Sequence, residues 1–291
     1  MLVSGIQNAK QLSELAVDVV YVGLKGLSWR CAGYFSLEEL PSLQKKALES
    51  AKELWVLFNR MYEESDLNAV KKGLKLCKKL GIKGIVYSSL VVYELALSLD
   101  YQAALVYQSD TLITNRHDAT FFAERNRAVV LAKEITLNDV KKITKDGPDK
   151  YAIVVHGHLN LSYSKRRFLS YYLKEYRIKS SAEKYFIQEE TRDLKMPLLQ
   201  EPGGTSIYSA WILESLAELV TLQARCRYLL IDPLFLSSVN LSQTVACYRG
   251  VLDGKLSAKE AGKHLPQIAE HPYHSGFHYR KTTKNKVRDD E

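Results

Sequence analysis

One segment gathers most of the residues whose types and spacing suggest chemistry: Val154-Val155-His156-Gly157-His158-Leu159-Asn160-Leu161-Ser162-Tyr163-Ser164-Lys165-Arg166-Arg167. An apolar, β-branched run leads directly into His156, and Gly157 allows a backbone to approach a ligand closely. An imidazole at a strand end, with its ordinary pKa of about 6.5, suits proton transfer or polarisation of a substrate. A histidine fixed by hydrogen bonds in a purely structural role fits the same pattern. Ser162 and Ser164 lie near His156 in the chain, but no nucleophile-elbow pattern surrounds them and no orienting third group accompanies them. Neither histidine belongs to a His-x-x-x-His pair on a helix, the arrangement a zinc hydrolase uses. His271, His274 and His278 form a second histidine group, but Pro272 and Gly276 make that stretch read as an irregular loop, so no metal site is assigned.

The elements that would position these groups alternate. Apolar strand-like runs occur at 18–22, 54–58, 84–87, 103–107, 128–131, 152–155 and 228–231, and a short run at 1–3 makes eight. Such near-continuous apolar strands suit a sheet buried on both faces. Helical patterns lie between them. Ser36 and Glu39 form a capping-box pair, Thr136 opens another helix, and 65–80 repeats apolar positions at Leu67, Val70, Leu74, Cys77 and Leu80 before Gly81. Eight strands alternating with helices predict an α/β fold, a (β/α)8 TIM-like barrel, with an open doubly wound sheet as the alternative. About seventy residues separate strand seven from strand eight. The domain reading is therefore a barrel over 1–255 with an insertion at about 160–225, followed by 256–291 as a C-terminal helix (about 256–270) and a basic tail. Functional groups of such barrels come from the C-terminal ends of strands and the loops beyond them.

Several segments resemble peptidase family U32, the collagenase-like proteins. They are His156-Gly157 with Ser162-Tyr163-Ser164-x-Arg166 and Ser170, Val19–Gly23, Ser28-Trp29-Arg30, Phe35–Leu40, Phe58-Asn59, Thr114-Asn115, Ala132–Leu137 and Gly203-Gly204-Thr205. The resemblance implies an α/β barrel. It also implies either peptidase activity or a part in oxygen-independent hydroxylation, including that of tRNA wobble uridine with prephenate as the oxygen source. Many members carry a [4Fe–4S] cluster on four cysteines. Here Asn160 and Arg167 occupy two of those cysteine positions, and nothing in 180–204 supplies the other two. Asparagine and arginine cannot replace soft anionic sulfur, so no cluster is expected in this chain. A cluster-less member is then expected to act with a cluster-bearing relative. The resemblance assigns the barrel mouth to Arg30, Asn59, Asn115, Glu134, His156, Tyr163 and Arg166. His156 and then Glu134 are the proton-transfer candidates, and Arg30 and Arg166 would anchor a dicarboxylate.

Composition narrows the classes. The chain has 291 residues, 46% hydrophobic and 25% charged, which excludes disorder as the main state. Its 41 basic and 33 acidic residues leave a net charge of +8, compatible with an anionic partner such as tRNA. Lys165, Arg167, Lys281 and Lys284 are the candidate phosphate contacts, and Tyr171, Tyr172, Tyr176 and Tyr185 could stack on an unpaired base. Cys31, Cys77, Cys226 and Cys247 are widely spaced and read as free thiols of a reducing compartment. No apolar stretch has membrane-spanning length, and the first residues lack a signal-peptide pattern, so the expected location is the cytoplasm. The leading functional expectation is tRNA hydroxylation; a peptidase and a non-catalytic binding partner are the alternatives.

Overall fold

The computed structural model describes residues 1–179, 184–190, 193–268 and 271–281. Thirteen strands occur among them. In chain order they are β1 (Leu2–Gly5), β2 (Val19–Leu24), β3 (Tyr34–Phe35), β4 (Glu53–Phe58), β5 (Gly84–Tyr87), β6 (Leu105–Tyr107), β7 (Ala128–Val130), β8 (Tyr151–Ser164), β9 (Tyr185–Gln188), β10 (Lys195–Glu201), β11 (Gly204–Glu214), β12 (Tyr228–Ile231) and β13 (Tyr273–His274). Eight of them, β1, β2, β4, β5, β6, β7, β8 and β12, pair in parallel, and β12 closes the ring by pairing with both β8 and β1. The fold is a closed eight-stranded parallel barrel with helices between its strands, as the alternation predicts.

The apolar runs are continuous because each strand buries both faces. Inward residues Val3, Val19, Trp55, Leu57, Val86, Val106, Ala128, Val130, Ala152, Tyr228 and Leu230 fill the cylinder, and the outward set packs under the helices. Trp55 meets Tyr228 edge-on at 4.9 Å. Gly84 lies flat against the Trp55 ring, where a Cβ would stand 2.2 Å from ring carbons. The helix Leu67–Lys79 turns Val70, Leu74 and Cys77 inward, leaves its lysines outside, and stops before Gly81, whose φ is +68°. Thr136 and Asp139 form the capping box of the helix Leu137–Ile143.

The insertion differs from a simple helical excursion. Strand β8 is 14 residues long. Its first half belongs to the barrel; its second half leaves the ring and pairs antiparallel with β11, which continues through β10 to β9. Two short helices, Phe168–Glu175 and Leu219–Gln223, flank this ribbon. The C-terminal helix spans Ala258–His264, shorter than the 256–270 expected. The stretch around His271–His278 is no free loop: β13 pairs with β11, and the Ser215 hydroxyl and His278 Nε2 share a hydrogen bond at 2.8 Å. Most of the expected basic tail, with Lys284, lies outside the described residues; Lys281 is exposed. No helix among the described residues is long and apolar enough to cross a membrane.

Candidate active site at the barrel mouth

Strand order decides which side chains meet at the C-terminal mouth. A cavity of about 90 Å³ sits inside it, floored by Trp55 and lined by Tyr21, Arg30, Asn59, Gln108, Asp110, Lys133, His158, Asn160, Tyr208 and Asp232. A vestibule of about 310 Å³ continues outward past Trp29, Met61 and Tyr163, sharing Arg30, Asn59, Asp110, Lys133 and Asn160 with the inner cavity. Arg30 and Asn59 come from the loops beyond β2 and β4, and Gln108 and Asp110 from the loop beyond β6. Lys133 follows β7, and Asp232 follows β12 directly.

The site is a cross-linked set of charges. Arg30, in a left-handed backbone conformation with φ +55°, donates from Nη1 to Asp110 at 2.7 Å. Burial opposes its charge, but Asp110, Tyr208 and Asp232 outweigh that and hold the guanidinium charged. A guanidinium has five N–H donors, and the donors beyond this pair have no protein acceptor among the described residues. Lys133 donates from Nζ to the Asn160 carbonyl, and burial lowers its pKa against the pull of Asp110 and Glu134. Asp232 accepts from the Leu234 amide at 3.0 Å, and burial raises its carboxyl to about 6 despite Arg30 and Lys133. The hydroxyl of Tyr208, a side chain only 2% exposed, lines the cavity with no hydrogen-bond partner among the described residues. A buried unpaired hydroxyl beside unused guanidinium donors marks a place where a polar ligand completes the bonding.

His158 is the imidazole of this cavity. Its Nδ1 lies 2.7 Å from the Ser209 carbonyl oxygen. A carbonyl only accepts, so Nδ1 carries the proton and Nε2 keeps its lone pair. Burial lowers its pKa to about 4, so it is neutral at pH 7. Phe235 and His271 hold the ring edge-on at 5.5 and 4.7 Å. Among the described residues neither His158 Nε2 nor the Asp232 carboxylate is hydrogen-bonded to a hydroxyl or thiol. Ser209, whose carbonyl holds His158, donates its hydroxyl to the Trp211 carbonyl and accepts from the Leu159 amide.

The structure redistributes the residues expected at the mouth. Arg30, Asn59 and Tyr163 line it. Asn59 brackets Trp29 by accepting its amide at 2.9 Å and donating to its carbonyl at 2.8 Å. Tyr163 donates to the Gly203 carbonyl and packs on Trp29 at 5.5 Å. The other four lie elsewhere. His156 is fully buried on the outside of the barrel wall, between Tyr248 at 5.5 Å and Tyr273 at 5.8 Å, with both ring nitrogens unpaired among the described residues. The cause is local. One extra residue of β8 is accommodated between the Val154–Leu230 and His156–Ile231 pairs, a bulge that breaks the alternation of faces. Gly157 then takes φ +129°, and a Cβ there would meet the Asp232 carbonyl oxygen at 2.7 Å. Glu134 lies one residue past Lys133 and outside the cavity lining. Asn115 is exposed and caps the helix Arg116–Arg125 through the Asp118 amide. Arg166 is exposed in the turn beyond β8, outside the cavity lining. Of the expected phosphate contacts, Lys165 pairs with Glu63 at 2.8 Å and Arg167 is exposed at the start of the helix Phe168–Glu175.

The thiols do not fit a cluster at this mouth. Cys31 packs with the barrel interior, its Sγ 3.1 Å from the Trp29 carbonyl oxygen, and burial pushes its pKa well up. Cys77, Cys226 and Cys247 are buried in the layer between sheet and helices. Asn160, at one motif cysteine position, lines the cavity, and Arg167, at the other, is on the surface.

The sequence pattern of peptidase family U32 matches residues 4–288. The chain belongs to that family. It is 32% identical over 170 residues to the uncharacterized protease MJ0090 of Methanocaldococcus jannaschii, covering 56% of this chain but 41% of that protein, about two fifths of its length. It is 23% identical over 219 residues to tRNA hydroxylation protein P2 of Bacillus subtilis, covering 72% of this chain and 71% of the relative. With tRNA hydroxylation protein P of Helicobacter pylori the identity is 25% over 272 residues, 87% of this chain and 64% of the relative. The solved structure of the U32 peptidase Mk0906, 11% identical, superposes with a TM-score of 0.50 over 79% of this chain and 91% of its own. That likeness supports the barrel fold alone.

Proposed function

We propose that this chain is a cytoplasmic component of tRNA wobble-uridine 5-hydroxylation, binding a small carboxylate co-substrate such as prephenate at the barrel mouth and acting with a cluster-bearing relative. The observation that carries this reading is the set of polar groups with bonding capacity left over at the barrel mouth: Arg30 with unused N–H groups, the Lys133 ammonium with one hydrogen bond to the Asn160 carbonyl, and the Tyr208 hydroxyl, unpartnered among the described residues, all lining one cavity. Similarity to two tRNA hydroxylation proteins over 72% and 87% of the chain supports the reaction class. Arg30 and Lys133 supply charge-assisted hydrogen bonds to carboxylates. His158 Nε2 accepts a hydrogen bond from a substrate hydroxyl, and Asp232, with its carboxyl raised to about 6, exchanges a proton near neutrality. The redox centre is assigned to the relative, because Asn160 and Arg167 stand where thiolate ligands are needed.

The test is direct. Deleting the gene should remove 5-hydroxyuridine and its derivatives from total tRNA, read by nucleoside mass spectrometry, and the wild-type gene should restore them while Arg30→Ala does not. Unchanged modification in the deletion strain overturns the reading.

A further inference from the structure

The helix Phe168–Glu175 has no buried residue, yet it carries Phe168, Tyr171 and Tyr172 and is followed by Tyr176, all four exposed by 48–65%. Solvent-facing aromatic clusters of this kind mark interaction surfaces. Phe168, Tyr172 and Tyr176 are spaced four residues apart, so they rise along one face of the helix and its C-terminal turn. The last two already pack ring on ring at 4.7 Å. The helix is fastened rather than loose: it packs on β11, the Phe168 amide donates to Thr205 Oγ1 at 3.0 Å, and the Ser170 amide donates to Gln200 Oε1 at 3.1 Å. Flanking the rings in the chain are Arg166, Arg167, Lys174 and Arg177, all exposed and none in an ion pair among the described residues, against one exposed carboxylate on the helix, Glu175. Strand β8 connects this ladder to the mouth, since Tyr163 lines the vestibule and Arg166 follows three residues later.

We infer that this face binds single-stranded RNA, its rings stacking on unpaired bases and its cations on the flanking phosphates, so that a base of the bound strand is presented to the mouth. The choice of RNA rests on the function proposed above; the single-strand preference comes from the surface. A paired duplex offers phosphates to the cations but keeps its base faces stacked on one another, whereas an open loop offers both. Charge complementarity alone would also admit an anionic lipid surface. A lipid-embedded helix presents one continuous apolar face, but here three of the four exposed rings are tyrosines, and the helix's two leucines, Leu169 and Leu173, are half-buried together with Ser170.

The test uses the purified full chain and fluorescence anisotropy with three probes: a labelled RNA hairpin with a single-stranded loop, the same stem as a blunt duplex, and vesicles containing phosphatidylserine. The hairpin should bind best. Tyr172→Ala/Tyr176→Ala should weaken hairpin binding by about tenfold or more with little effect on the duplex, and Tyr172→Phe/Tyr176→Phe should retain binding. Arg166→Gln/Arg167→Gln should flatten the dependence of log affinity on log salt by about 0.7 for each phosphate no longer neutralised. An unchanged melting temperature shows the variants to be folded. Equal affinity of the alanine variant and the wild type, or vesicle binding without hairpin binding, overturns the inference. No chemistry and no partner enters this assay, so hydroxylation can fail in cells while loop binding stands, and the reverse.

Discussion

Replacing His156 by leucine should stabilise the protein, most of all in acid. The imidazole is 0% exposed and neither nitrogen has a partner among the described residues. Leaving a buried polar group unsatisfied costs about 1–3 kcal/mol, and His156→Leu removes that cost at pH 8 at the expense of ring contacts with Tyr248 and Tyr273. Burial, and to a smaller degree His158, pushes the imidazole down from 6.5 to about 3. The unfolded chain takes up a proton below 6.5 that the folded chain refuses until about pH 3, so stability is lost as pH falls through that window. Each pH unit corresponds to about 1.4 kcal/mol, and between pH 6.5 and 4 the loss traceable to His156 is about 3 kcal/mol. Urea unfolding of both proteins at a series of pH values reads this directly. The curves should be closest at pH 8 and diverge below 6.5, with the variant flatter. Parallel curves, or a variant less stable throughout, would show that His156 has an unrecognised partner and refute the reasoning.

Asp232 has the opposite pH signature. Its folded carboxyl titrates near 6, above the ordinary 3.8, so the folded chain binds the proton more tightly, and stability falls as pH rises from about 4 to 6. Asp232→Asn should therefore stabilise at pH 8 by up to about 3 kcal/mol, with the gain vanishing by pH 4 in the same urea series. Gly157→Ala places a Cβ 2.7 Å from the Asp232 carbonyl oxygen at a φ of +129°. It should cost about 2 kcal/mol or more in thermal unfolding and also impair ligand binding, since the backbone of Asp232 must shift. Three thiols are buried and held protonated, Cys77 and Cys226 with pKa values pushed up to about 12, and the half-buried Cys31 thiol is also raised, by desolvation and by Glu201 and Asp232. Iodoacetamide at pH 8, followed by mass spectrometry, should label none of them until the chain is unfolded.

The barrel was legible because its eight strands are short apolar runs bounded by turn residues, and burial on both faces leaves that pattern in the residues themselves. Arg30, Asn59 and Tyr163 were legible through family motifs at strand ends. Which imidazole faces the cavity is not legible from period-2 alternation, which assumes a regular strand. The bulge at Val155–His156 and the positive φ of Gly157 turn His156 outward and place His158 at the cavity, and neither feature has a periodic signature. Lys133 and Glu134 lie in the turn beyond β7, where strand periodicity gives no guide, and only Lys133 lines the cavity. Asp232 carries a readable signal, a carboxylate directly after the apolar run Tyr228–Ile231, the same place relative to its strand that His156 has after Val154-Val155. Tyr208 had none, because its place depends on β11 pairing back against β8 from across the insertion.

The most direct measurement is complementation of a strain lacking this gene, with 5-hydroxyuridine in total tRNA as the readout and protein levels matched. His156→Leu should restore the modified nucleoside, whereas Arg30→Ala and His158→Ala should not. Full restoration by Arg30→Ala and His158→Ala, with none from His156→Leu, would contradict the assignment of function to the cavity of Arg30, Lys133, His158 and Asp232.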